Sequence, residues 1–79
     1  MTNLEKYTNV FTEAFEVTAE QAATLEYQAI EAWDSVGHMM LIEKLEEAFD
    51  IMMDTDDIID LSSFEKGKEI LTKNYNIEF

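Results

Sequence analysis

Residues 33–49 read WDSVGHMMLIEKLEEAF, an aspartate and a serine followed by a stretch that is apolar on two sides rather than one. At about 100° per residue a helix starting at Ser35 separates two arcs. Leu41, Ile42, Leu45, Ala48 and Phe49 share one side with His38, and this arc is expected to meet the rest of the fold. Ser35, Val36, Met39, Met40, Glu43, Glu46 and Glu47 share the other, which is apolar near the helix start and acidic further along. Methionine repacks readily, so methionines beside carboxylates suit a surface that accepts more than one partner. The competing reading is that Met39 and Met40 cover the connection before the helix, since such apolar stripes are more often core than interface.

Working outward, the chain is helical in pattern. It has no proline, and its only glycines are Gly37 and Gly67. Leu4, Tyr7, Val10, Phe11, Ala14 and Phe15 recur at helical spacing and form one stripe. Thr18 followed by Gln21 has the form of a capping box, which predicts a short helical turn within the connection 16–34. The stretch DTDDIIDL at 54–61 predicts a short helix or turn with Ile58, Ile59 and Leu61 inward. Ser62 and Glu65 read as a second capping box, opening a helix to about Lys73 with the stripe Phe64, Gly67, Ile70, Leu71 and Tyr75. No stretch alternates as a strand would. At 79 residues this is one all-α domain, with a hydrophobic fraction of 47% to build its core.

Composition bounds the function. Eighteen acids face five lysines and no arginine, a formal net charge of −13, which disfavours nucleic acid and anionic membrane surfaces as partners. Residues 31–60 carry ten of those acids (Glu31, Asp34, Glu43, Glu46, Glu47, Asp50, Asp54, Asp56, Asp57, Asp60) against Lys44 alone. This is either a solvated face or a docking surface for basic patches. There is no cysteine for a disulfide or thiolate metal site, no basic-then-apolar leader pattern, and no apolar run approaching a membrane span. A cytoplasmic monomer without membrane insertion is expected.

Asp34-Ser35-Val36, followed by a helix ending LEEAF, resembles the phosphopantetheine attachment site of acyl carrier proteins. In that family the motif is commonly Asp-Ser-Leu at the start of the second helix. The likeness extends over the whole chain: a first helix, a long connection, the motif helix, a short acidic helix and a capped last one. It implies a four-helix bundle with a long first connection and a short third helix. It further implies 4′-phosphopantetheine on Ser35 with Asp34 as motif neighbour, and acyl cargo held as a thioester on the arm. The implied partners are a phosphopantetheinyl transferase and acyl-loading, synthase and acyltransferase enzymes with basic docking patches. They would meet Val36, Met39, Met40, Glu43, Glu46, Glu47, Asp56 and Asp57. The chain itself would be a carrier and not an enzyme. Val36 in place of leucine, Met40 where an acid is frequent, and Trp33 before the motif point to a specialised carrier.

Other readings compete. Within the family, aminoacyl or peptidyl carriers often show Gly-Gly-His-Ser, which Glu31-Ala32-Trp33-Asp34 does not resemble, although Asp-Ser forms exist. Asp34, Ser35 and His38 are the residue types of a hydrolase triad, but no Gly-x-Ser-x-Gly elbow accompanies them. Asp54, Asp56 and Glu65 match the first, third and twelfth positions of a calcium loop, where Ile58 and Ile59 occupy positions that need a ligand and a glycine. An unmodified acidic helical adaptor would keep the surface without the chemistry. Ser35 alone also suits a helix N-cap, a role compatible with modification. Gly37 in the first turn weakens the helix by about 1 kcal/mol relative to alanine and would let another surface approach closely.

Overall fold

The chain enters its first helix through a reciprocal cap. Thr2 Oγ1 accepts from the Glu5 N–H at 3.1 Å, and the Glu5 carboxylate accepts from the Thr2 N–H at 2.9 Å. That second bond holds the Glu5 carboxyl below its usual value. The computed structural model describes residues 1–79 and contains five helices and no strand: α1 Asn3–Phe15, α2 Ala19–Ala23, α3 Ser35–Phe49, α4 Thr55–Asp60 and α5 Phe64–Tyr75.

The amphipathic stripes do what their spacing predicts. Tyr7, Val10, Phe11 and Phe15 of α1, Leu41, Ile42 and Leu45 of α3, and Phe64, Ile70 and Leu71 of α5 are buried in one core. Leu4, in the first turn, stays 42% exposed. Trp33 is the centrepiece. It is fully buried, stacks on Phe15 at 5.1 Å between ring centroids, and meets Phe11 edge-on at 5.6 Å. Tyr7 is buried with its hydroxyl donating to the Phe64 carbonyl at 2.7 Å, and burial first, then Glu65, raises its pKa well above the usual value.

The all-helical class holds, with five helices instead of four because Thr18 and Gln21 do form a capping box that starts α2. After α2 the connection is anchored by its backbone. Phe64 N–H donates to the Leu25 carbonyl at 3.0 Å and Tyr27 N–H to the Ser62 carbonyl at 2.8 Å, an isolated antiparallel bridge. This fixes the α4–α5 junction against the segment leading to Trp33.

Four expectations need correction. The cap of α3 is Asp34, not Ser35: Asp34 Oδ1 accepts from the Gly37 N–H at 2.8 Å, and Ser35 is the first helical residue. The cap of α5 is Ser63, whose hydroxyl accepts from the Lys66 N–H, so Ser62 and Glu65 make no capping box. Ile59 is 71% exposed, because α4 has only six residues and its inward edge is taken by Ile58 and Leu61, one turn apart. Gly37 is buried beneath the Ala32 carbonyl, which an added Cβ would strike. The close approach it permits is therefore made by the chain's own backbone.

Candidate functional site

Ser35 stands at the N-terminus of the fifteen-residue α3, exposed to solvent. Its position follows from its neighbours. Trp33 is locked in the core, Asp34 caps the helix, and Gly37 lets the preceding turn lie flat against the first helical turn. Gly37 N–H goes to the Asp34 side chain and His38 N–H to the Asp34 carbonyl, leaving those of Ser35 and Val36 without a partner in the fold. The Ser35 hydroxyl makes no hydrogen bond within the protein, so it is free to react. An anion attached there would lie by the positive end of α3.

His38 lies one turn along and is half-buried. Its Nδ1 accepts from Trp33 Nε1 at 2.9 Å, so Nε2 carries the hydrogen and donates to the Ile58 carbonyl at 2.7 Å. Both ring nitrogens are committed, and neither is directed to Ser35. Asp34, Ser35 and His38 are thus adjacent without forming a relay. The imidazole lies nearly coplanar with the indole, edge to edge through that bond with 6.1 Å between centroids, and meets Tyr27 edge-on at 5.4 Å. It fastens α4 to the head of α3.

Between those elements runs a cleft of about 360 Å³, lined by Tyr27, Ser35, His38, Met39, Ile58, Ile59, Leu61 and Ser62. Ser35, His38 and Ile58 are among its lining residues, whereas Trp33 is buried away from it.

The outward arc is open as the sequence suggests. Val36 is 69%, Met39 55% and Met40 49% exposed, so the methionines do not serve as a cover for the preceding connection. Glu43 and Glu47 are exposed beside them. Glu46 differs: its Oε2 accepts from the Met53 N–H at 2.9 Å and ties down the loop after α3. Asp56 is exposed, whereas Asp57 accepts from Tyr75 Oη at 2.7 Å and from Asn74 Nδ2 at 2.9 Å, and so anchors α4 to α5. Tyr75 Oη in turn accepts from the Asp54 N–H at 2.7 Å. The calcium-loop residues are not gathered: no group of three or more carboxylate or histidine side chains is disposed to share an ion.

Sequence reasoning missed Tyr27, Ile59 and Ser62 as parts of the cleft and Met52, 87% exposed, as a further apolar surface residue. Tyr27 and Ser62 lie in segments without periodicity, where no sequence signal of this kind exists. Compared with protein-family models, curated proteins and solved structures, the chain finds no match. No helix is long and apolar enough to cross a membrane.

Proposed function

We propose that this chain is a carrier domain of the acyl carrier protein kind, with 4′-phosphopantetheine attached to Ser35. The observation that carries the reading is an exposed, unbonded serine hydroxyl at the head of a helix, rimmed by exposed Val36, Met39 and Met40 and then by Glu43 and Glu47. The helix order supports it. A long first helix, an extended connection, the motif helix, a short acidic helix and a capped last helix occur in the sequence the resemblance implies, with α2 as an insertion in the connection.

In the attachment reaction the Ser35 hydroxyl loses its proton and bonds to the pantetheine phosphorus of coenzyme A, and the adenosine bisphosphate part departs. The new phosphodiester lies near the unpartnered N–H groups of α3. The thiol at the far end of the arm then holds cargo as a thioester, and chemistry on the cargo belongs to partner enzymes. Exposed acids steer basic surfaces toward Ser35, and the methionines supply contact that tolerates several partners. A family variant carrying aminoacyl cargo uses the same attachment. An unmodified adaptor would use the same surface, and the apolar side chains of Ile59 and Met52 fit that alternative equally.

The test is mass spectrometry after incubation with coenzyme A and a broad-specificity phosphopantetheinyl transferase. Wild type should gain one phosphopantetheine and Ser35→Ala none, with unchanged helicity. Modification of the alanine variant at Ser62 or Ser63 would refute the assignment, and no modification of wild type would leave the adaptor.

A further inference from the structure

We infer that His38 is an acid-operated latch between α3 and α4: a proton on its Nδ1 undoes the bond to Trp33 and carries the ring off the Ile58 carbonyl. This goes beyond the carrier reading and holds whatever Ser35 carries. The indole is a donor only, so Nδ1 has to present a lone pair to it across 2.9 Å. An imidazolium has no lone pair to offer, and its Nδ1 hydrogen would point at the indole hydrogen. Once protonated, the ring must turn Nδ1 away, which leaves a fully buried indole N–H without an acceptor. Both nitrogens belong to one rigid ring. The same turn therefore takes Nε2 from the Ile58 carbonyl, 2.7 Å away in the closed form.

The surroundings do not hold the extra charge in place. The only ion pairs of the fold lie within α5, so no carboxylate is within pairing distance of the imidazole. His38 and the Tyr27 phenol are the only titratable groups that line the cleft. The acids on the elements packed against the ring are engaged or turned elsewhere. Asp34 Oδ1 accepts from the Gly37 N–H, and Asp57 is bonded to Tyr75 and Asn74. Asp56 lines a hollow with Lys73, Asp60 another with Lys66, and Glu26 and Glu31 are exposed. Because α4 buries no residue completely, losing its tie to α3 leaves the Asp57 contacts to α5 as its polar fastening. The open form takes up a proton that the closed form does not. The closed form is therefore complete above the range in which imidazoles titrate and is lost as pH falls through it.

The chain has one histidine and one tryptophan, so nuclear magnetic resonance reads the two ends of the bond without overlap. Protein labelled with nitrogen-15 and unmodified at Ser35 would be titrated from about pH 8 to 5, the interval in which imidazoles take up a proton. The signals to follow are the imidazole nitrogens, the indole N–H and the backbone amides of 55–60. At the alkaline end we expect the imidazole with its hydrogen on Nε2. On acidification the indole N–H and the α4 amides should change in step with the imidazole, and Trp33 emission with them, while the amides of α1 stay in place. The open-to-closed ratio should rise by at most about tenfold per pH unit. His38→Asn keeps an acceptor oxygen for the indole and every other titrating group, and should not respond over this interval. Should that variant not fold, the wild-type series decides alone. Protonation of the imidazole with the indole N–H and α4 unmoved overturns the inference, and so does the absence of any change down to about pH 5. An equal response in His38→Asn overturns it too, by assigning the effect to the carboxylates. None of these outcomes bears on the loading of Ser35, which mass reports separately.

Discussion

Replacing His38 with phenylalanine isolates two hydrogen bonds in a nearly constant shape. The phenyl ring can keep the edge contact with Tyr27, at 5.4 Å in wild type, and fill the place of the imidazole beside the edge of the indole. What it removes is the acceptor for Trp33 Nε1 and the donor to the Ile58 carbonyl. The indole N–H is the more serious loss, since Trp33 is fully buried and an unsatisfied buried donor costs about 1–3 kcal/mol. Ile58 is only half-buried, so water can reach its carbonyl and the second loss is nearer about 1 kcal/mol. Together the change should destabilise the domain by about 2–4 kcal/mol. At roughly 0.05–0.15 kcal/mol per residue a chain this size is stable by about 4–12 kcal/mol, so the loss is a large share. It corresponds to a fall in Tm of roughly 8–32 °C, at about 4–8 °C per kcal/mol. Urea unfolding followed by Trp33 fluorescence and by circular dichroism measures it, and an unchanged m-value would confirm that the two-state transition is intact. A loss below about 0.5 kcal/mol would mean that water or a shifted backbone satisfies the indole, and that His38 fastens nothing.

Glu43→Lys with Glu47→Lys should leave stability within about 0.5 kcal/mol of wild type, because both are exposed, yet slow phosphopantetheine transfer at low salt with the gap closing as salt rises; equal rates at limiting transferase would make this arc plain solvated surface. Glu46 is excluded from that pair, since its bond to the Met53 N–H makes Glu46→Lys a structural lesion. The only two ion pairs, Lys66–Glu69 and Lys68–Glu65, lie within α5, so the acids of 31–60 repel without compensation and Tm should rise with salt; a flat salt series in thermal melts would refute this. The raised pKa of Tyr7, caused by burial, sets an alkaline limit. Its stabilising contribution is complete below the unfolded value of about 10 and is lost as pH climbs above it toward the folded value, so stability should fall there, and Tyr7→Phe should flatten that fall in urea titrations across pH.

The parts legible in sequence are those with a period. The stripes of α1, α3 and α5 were readable because burial of one face repeats every three or four residues, and Thr18–Gln21 because reciprocal capping has a fixed spacing. The cap positions at Asp34 and Ser63 were each displaced by one residue from the obvious reading, since Asp-Ser and Ser-Ser pairs offer two caps and only backbone geometry chooses. Asp34 taking the cap matters for the proposed attachment: it relieves Ser35 of a structural bond and leaves its hydroxyl free. The segment 24–34 has no period, and its fold depends on backbone pairing with Ser62 and Phe64, nearly forty residues away in sequence. The same holds for α4, which buries no residue completely and is fastened at its middle by polar contacts, Ile58 to His38 of α3 and Asp57 to Tyr75 and Asn74 of α5. A helix of six residues cannot persist on propensity, so those contacts decide whether α4 is present and whether the cleft beside Ser35 has a second wall. The local openness of the site is therefore set by two side chains, His38 and Asp57, that reading by residue type would place in a catalytic relay and on a docking surface.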